Sequence, residues 1–261
     1  MTRVAVLGLG EAGRTFAAGL VGHVAVRGWD PAPTASVDGV ARVDTAEGAV
    51  RGADAVLAFA PAARAASALA SAVGVVSPGT LYADFATADP ALKRALAGTA
   101  TAAGMRFADA AIMAPVRRGA ANTPILVSGD GATALAELLA PAGIPSEIVP
   151  GEAGTAAARK LLRSMLVKGL TGVMIESLRA AEREGLVDWF APHLLATLTD
   201  LDEQTLAGFV GGTAVHAVRR IDEMEAAATM AETAGGRADI TRAVAELLRS
   251  VAGEGVPEAL G

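Results

Sequence analysis

The residues with chemistry in their types and spacing are a glycine cluster, one carboxylate, and a row of two lysines and a serine. Gly8, Gly10 and Gly13 stand in GxGxxG spacing inside "RVAVLGLGEAGRTFAAGL" (3–20). The apolar run 4–7 before them reads as a buried parallel strand, and the pattern after them, with Phe16 and Leu20, reads as a helix. Gly8 then permits a tight turn, Gly10 leaves room for a pyrophosphate to approach the backbone, and Gly13 lets the helix pack closely on the strand. The helix N-terminus offers unpaired N–H groups and the positive end of its dipole. Gly8, Leu9, Gly10, Glu11, Ala12 and Gly13 are therefore the expected phosphate cradle of a dinucleotide. Asp30 ends the next strand-like run, "HVAVRGWDPA" (23–32), about 20 residues on, where a carboxylate accepts hydrogen bonds from the adenine ribose hydroxyls. It would repel a 2′-phosphate and so favours NAD over NADP, with Arg27 leaving NADP open. Alternatively, Asp30 is a turn residue ahead of Pro31. In "RKLLRSMLVKGL" (159–170), Lys160, Ser164 and Lys168 recur every four residues and span an arc of ~80° on a helix. That row is either a solvated stripe or the lining of a pocket.

The elements that must position these residues follow from periodicity. Strand patterns recur at 39–44, 53–61, 80–84, 105–116, 124–130 and 146–150, with helical patterns at 61–73, 90–103 and 131–141 between them. Such alternation predicts an α/β Rossmann-type, doubly wound, mostly parallel sheet, with the ligand at the carboxyl ends of the strands. The loops after residues 8, 30, 60 and 84 face that end, which adds Ala60 and Pro61 to the expected cofactor site. From about residue 152 strand signals stop. Residues 153–186 read as one long helix, and further helices are expected at about 190–198, 202–210, 213–234 and 238–253. The organisation is thus a dinucleotide-binding domain, 1–150, and an all-α domain, 151–261, divided at Pro150-Gly151. The long helix is apolar or small nearly all round from Met165 to Ile175, which predicts burial. An ammonium on such a helix is costly unless paired or working, so Lys160 either lines a cleft between the domains or caps a solvated helix start, and Lys168 is expected to be buried and to pair with a carboxylate of another helix.

Composition removes several classes. A net charge of -6 and an aromatic content of 3% argue against phosphate-backbone binding and base stacking, so no nucleic-acid partner is expected. There is no cysteine, and only His23, His193 and His216, far apart, so no metal site is expected. No run of 18 or more strongly apolar residues appears and the chain opens on a strand-like run, so a soluble, cytoplasmic protein without membrane contact is the expectation.

Together the fingerprint, the alternation, "DFATADP" (84–90) and a lysine near the head of a long helix resemble the β-hydroxyacid dehydrogenase family, which includes 3-hydroxyisobutyrate, tartronate-semialdehyde and 6-phosphogluconate dehydrogenases. "GLGEAG" (8–13) resembles its GLGxMG, and "DFATADP" resembles its D-x-S-T-x-S-P loop, whose threonine, here Thr87, sits by nicotinamide and substrate. "GTAAARKLLRS" (154–164) resembles its G-x-G-x-x-x-K-x-x-N-N helix; Lys160 falls on the catalytic lysine, Glu176 on a glutamate common in that helix, and Ser164 on an asparagine that helps bind substrate. The substrate strand departs: "DAAIMAPVRRG" (109–119) puts Met113 where the family has an anion-binding serine, and in the other register Arg117 falls there. "DAAIMAP" also resembles the imine reductases, and "KLLRSMLVKGL" and 212–232 resemble a second-domain type found on some 6-phosphogluconate dehydrogenase-like proteins, a pattern that includes Lys168.

The resemblance implies an NAD(P)-dependent enzyme passing hydride between nicotinamide and the carbinol or carbonyl carbon of a small hydroxyacid-like substrate. Lys160 would be the general acid/base, its pKa brought toward neutrality by burial and by Lys168. Ser164, Thr87, Met113 and Lys168 would contact substrate, with Ile112 beside Met113 in an apolar wall; Arg117 and Arg118 would bind an acid group or form an exposed loop pair. In this family the second domain mediates dimerisation. His216, which shares a helix face with Arg220 and Glu223, is therefore either a contact in a partner's cleft or an interface or surface residue. An imine reductase and a non-catalytic dinucleotide-binding protein are the alternatives; retention of Lys160 argues against both.

Overall fold

The computed structural model describes residues 1–32 and 35–256. They divide into two compact units, Met1–Arg163 and Ser164–Gly261.

In the first unit the strands are β1 (Arg3–Leu7), β2 (Ala25–Trp29), β3 (Ala41–Arg42), β4 (Ala55–Ala58), β5 (Leu81–Asp84), β6 (Arg106–Ile112), β7 (Ile125–Ser128) and β8 (Ser146–Ile148). They form one sheet in the order β3-β2-β1-β4-β5-β6-β7-β8. Every pairing is parallel except β6 with β7. Helices α1 (Glu11–Leu20), α2 (Ala46–Val50), α3 (Ala62–Ala70), α4 (Pro90–Ala102), α5 (Val116–Gly119) and α6 (Ala132–Leu139) connect them. Period-two alternation splits each central strand between two cores: Val4 and Val6 of β1 join Leu57, Phe16 and Leu135 on one face, while Ala5 and Leu7 join Val56, Tyr82 and Leu96 on the other. A sheet buried on both faces explains why these strands read as continuous apolar runs. Local differences from the sequence pattern have local causes. The edge strand expected at 39–44 pairs over Ala41–Arg42 alone. The strand expected to reach residue 116 stops at Ile112, and Pro115, which cannot donate to a ladder, instead caps the short α5.

A buried polar joint ties the middle of this unit together. Asp84, Asp109 and Ser128 stand opposite one another in register on three neighbouring strands. Two carboxylates side by side repel, and Lys93 of α4 lies between them. Its Nζ is 2.7 Å from Asp84 Oδ2 and 3.0 Å from Asp109 Oδ1. It also donates to the Asp84 carbonyl at 2.9 Å. Lys93 and both aspartates are fully buried. Burial first, and then the negative charge of Asp84, push the neighbouring Tyr82 phenol well above its ordinary value.

The other oxygen of Asp109 caps the helix that leaves the sheet. Asp109 Oδ2 accepts from the amides of Gly154 at 3.0 Å and Ala157 at 2.9 Å, and Ser128 Oγ accepts from that of Ala156 at 3.0 Å. These are first-turn N–H groups of α7 (Thr155–Arg183), which have no intrahelical acceptor. Gly154 is required here: φ is +103°, and a Cβ would meet the Pro90 carbonyl oxygen at 2.8 Å. Residues 155–163 of α7 consequently belong to the first unit, and the compact division falls at Arg163–Ser164 where sequence reading divides the chain at Pro150-Gly151.

The second unit holds the rest of α7 and helices α8 (Val187–Thr199), α9 (Glu203–Thr233) and α10 (Asp239–Glu254). One boundary moves and one expectation is corrected. The break between the helices expected at 202–210 and 213–234 falls at His216 (φ -116°, ψ 18°), where α9 is kinked. Arg220 spans the bend: its guanidinium donates to the Phe209 carbonyl at 3.3 Å and to the Thr213 hydroxyl across the kink. The middle of α7 is not buried within this chain: Met165 is 72% and Leu166 63% exposed, and Lys168 is exposed as well. An all-round apolar helix is buried only when something covers it, and among the described residues Met165 and Leu166 are left largely uncovered.

The residue at the N-cap of α10 is Ala238, whose side chain cannot cap it. Glu176 of α7 does so instead, accepting from the Ile240 amide at 2.9 Å, the Thr241 amide at 2.8 Å and the Thr241 hydroxyl at 2.7 Å. Burial pushes the Glu176 carboxyl up, but the hydrogen bonds from Thr241 and Ile240 outweigh it and hold the group below its ordinary value of 4.5. A carboxyl lowered on folding stabilises above its unfolded value, and that contribution is lost as pH falls below about 4.5. Glu176→Gln therefore destabilises by about 1 kcal/mol at pH 7, and the gap to the parent closes in acid. Urea titrations at pH 7 and pH 4 measure this; a gap that stays constant would exclude the ionised cap.

Candidate active site

The strand order reverses between β1 and β4, and a cleft of about 660 Å³ opens there, at the carboxyl ends of the strands. Gly8 and Gly10 from the loop after β1, Asp30 and Pro31 from the loop after β2, and Ala60 and Pro61 from the loop after β4 line it. The turn is built by close approach. A Cβ on Gly13 would lie 1.8 Å from the Gly8 carbonyl oxygen, so no other residue lets α1 sit this near β1. Gly8 itself has φ +95°. At Gly10, the N-cap of α1, no atom lies within 4 Å of a built Cβ, and the residue is exposed, so the helix N-terminus opens to the cleft. Beneath it Phe16, Phe59 and Phe85 stack, with ring centroids 4.3 Å apart for Phe59 and Phe85.

The remaining cradle residues take different positions. Leu9 is buried, and its amide donates to Asp30 Oδ2 at 2.6 Å. Asp30 Oδ1 accepts from the Ala32 amide at 2.7 Å. Asp30 thus braces its own turn, as one of the two sequence readings has it, while the residue also lines the cleft. Glu11 is exposed in the first turn of α1 and pairs with Arg117 Nε at 2.9 Å. Arg27 points elsewhere, donating to the Arg51 carbonyl. Sequence reasoning missed Trp29, Ala46, Phe59, Arg64, Ser67 and Ala68, which complete the cleft wall. Ala46 belongs to α2, and that helix was not read from the sequence at all. Arg64, Ser67 and Ala68 were expected on a helix but carried no spacing signal of their own.

Thr87 lies beyond β5 and is exposed between buried Ala86 and Ala88. Met113 is half-buried and packs on Ala111, Val149 and Ala156, the last from the first turn of α7. Lys160 is half-buried on the same helix, one turn beyond the capped amides. Thr87, Met113 and Lys160 therefore all belong to the first unit. Ser164, half-buried, and Lys168 and His216, both exposed, belong to the second. His216 stands at the kink of α9, Arg220 is turned onto Phe209 and Thr213 of its own helix, and Glu223 pairs with Arg219 at 3.7 Å.

Fold and cleft define a dinucleotide-binding α/β protein. Residues 3–142 match the family described as the NAD binding domain of 6-phosphogluconate dehydrogenase, and the chain belongs to that β-hydroxyacid dehydrogenase-like family. Residues 181–251 match a domain of unknown function. A probable 3-hydroxyisobutyrate dehydrogenase of Mycobacterium tuberculosis is 33% identical over 195 residues, which are 71% of this chain and 66% of the relative. The chain thus spans about two thirds of that relative's length. A conserved hypothetical protein of Sinorhizobium meliloti 1021 has a solved structure with 30% identity and a TM-score of 0.61, covering 98% of this chain and 92% of the other. A reductive aminase from Aspergillus terreus, solved with NADPH, cyclohexanone and allyl amine, has a TM-score of 0.77 at 20% identity over 98% of this chain and 95% of its own, a likeness of fold.

Proposed function

We propose that the protein is an NAD(P)-dependent oxidoreductase acting on the carbinol or carbonyl carbon of a small hydroxyacid-like substrate, with Lys160 as general acid/base. The observation that carries this is the single cleft collecting Gly8, Gly10, Asp30, Ala60 and Pro61 at the switch point of the sheet. When bound, the nicotinamide supplies or accepts the hydride at C4. The open N-terminus of α1 holds the pyrophosphate, and Asp30 accepts from the ribose hydroxyls. Thr87 borders the nicotinamide and substrate. In oxidation the neutral Lys160 amine takes the hydroxyl proton as the hydride leaves carbon; in reduction the ammonium returns it. Ser164 orients the substrate oxygen. Because two backbone amides fix the Asp30 carboxylate at the cleft, it disfavours a 2′-phosphate, and NAD is the favoured cofactor.

Met113 favours a second reading, an imine reductase acting on C=N substrates, since no anion-binding hydroxyl stands there and its neighbours are apolar. Retention of Lys160 weighs for the carbonyl. The exposed apolar residues of α7, together with Val215 and Val218 of α9 at 76% and 69% exposure, support a homodimer through the helical unit. Its working compartment is taken as the cytoplasm.

Three outcomes test this. Asp30→Ala weakens NADH binding roughly ten- to a hundredfold, the equivalent of one charge-assisted hydrogen bond, and narrows the preference over NADPH; fluorescence titration reads both, and an unmoved NADH affinity removes Asp30 from the site. In a screen of hydroxyacids and cyclic imines with NADH and NADPH, hydroxyacids turn over, and Lys160→Ala lowers kcat by about a hundredfold or more. Unchanged turnover ends the lysine mechanism, and cofactor binding without any turnover leaves a dinucleotide-binding protein. Sedimentation equilibrium of the full chain gives twice the 26.0 kDa chain mass, and Met165→Glu lowers it; a monomer at micromolar concentration would rule the homodimer out.

A further inference from the structure

We propose that Lys93 is a positioning residue, whose buried ammonium locks the Thr87 loop to the head of the helix that carries Lys160. In assigning those two ends to the reaction the inference rests on the function proposed above. Lys93 touches no ligand, being 0% exposed. What it touches is the start of both segments. On one side it binds the carboxylate and the carbonyl of Asp84, three residues before Thr87. Asp84 Oδ1 in turn accepts from the Ala86 amide at 3.4 Å, so the bracing continues into the loop. On the other side Lys93 binds Asp109, whose second oxygen takes the amides of Gly154 and Ala157. Lys160 lies one turn beyond Ala157. The path from loop to helix is therefore Ala86, Asp84, Lys93, Asp109, Ala157, each step a hydrogen bond or ion pair of 3.4 Å or less within the first unit.

Stability alone gives no reason for this arrangement. Two carboxylates and an ammonium lose their hydration when buried, and an apolar trio of similar volume is often at least as stable. An apolar trio lacks direction. The ammonium donates to the Asp84 carbonyl and lies 2.7 and 3.0 Å from one oxygen of each carboxylate, which sets the distance between the two segments. In catalysis a misplacement of about 1 Å costs on the order of a hundredfold in rate, so a joint at this point controls turnover without entering the chemistry.

The test uses two variants of the full-length protein. Asp84→Asn removes the ion pair of the loop arm, keeping the Lys93 bond to the residue 84 carbonyl, and leaves Lys93 paired with Asp109. The double variant Lys93→Met/Asp84→Asn removes the ammonium from both arms, leaving at most one neutral amide bond to Asp109 in place of two ion pairs and the bond to the Asp84 carbonyl. Amide hydrogen exchange is read without ligand. In Asp84→Asn exchange rises about tenfold or more over residues 85–89 and not over 154–160; in the double variant it rises over both, while β1 and α10 keep their parental protection. With a substrate from the screen, kcat of the double variant falls about tenfold or more and the KM for NADH stays within about twofold, since the cofactor cleft is lined by other residues. Parental exchange in both segments, acceleration spread evenly through the sheet, or an unchanged kcat would each overturn the positioning role. If Lys160→Ala leaves turnover intact, the catalytic reading falls separately, and exchange alone decides whether Lys93 couples the two segments.

Discussion

One ammonium group holds the first unit in its working shape. The register of the sheet places Asp84 beside Asp109, a pair of like charges that neither strand can relieve. Lys93 makes that juxtaposition tolerable, and the positive N-terminus of α7, laid against Asp109, offsets the remaining negative charge. Several features depend on this balance. Gly154 is needed because the helix head must approach Pro90 closely enough to be capped. Ser128 is needed because a third first-turn amide requires an acceptor. The direction in which α7 leaves the sheet, and so the placing of Lys160, follows from where Asp109 stands on β6.

What was legible in the sequence was local. The fingerprint works through contacts between residues five apart, Gly8 and Gly13, so its spacing carries its geometry. Asp30 reaches back to Leu9 across one βαβ unit, so its place at the cleft was legible for the same reason. The Asp84–Lys93–Asp109 joint was not, although Asp84 and Asp109 both stood inside stretches singled out for their chemistry. Neither carries a sign that its partner is a lysine on the intervening helix, because a buried ion trio has no periodicity. Lys93 reads as one more charge in "ALKRALAG" until the fold turns it inward.

The second unit shows the opposite failure. The all-round apolarity of α7 is a signal of burial, yet Met165 and Leu166 stand 72% and 63% exposed, because apolarity records a tendency to be covered and not what covers it. The kink at His216 was misplaced for a different reason. Gly211-Gly212 marks a break in propensity, yet the bend occurs where Arg220 can reach back to Phe209, a contact spanning 11 positions that no local pattern encodes. Glu176 shows the same rule: its place in a family pattern was visible, whereas its work, capping a helix 64 residues away, was not.

These contrasts bear on the substrate. The dinucleotide half of the site obeys local rules and is built as its sequence reads. The substrate half departs at the residues that would grip an acid. Met113 packs into an apolar cluster with the first turn of α7, and Arg117, the cation that an alternative register would bring to that place, is spent on Glu11. A substrate carboxylate must therefore be held by groups other than these two, or the substrate carries none. On the function proposed above, specificity then falls to the residues around Lys160 and not to the strand that the family resemblance points to.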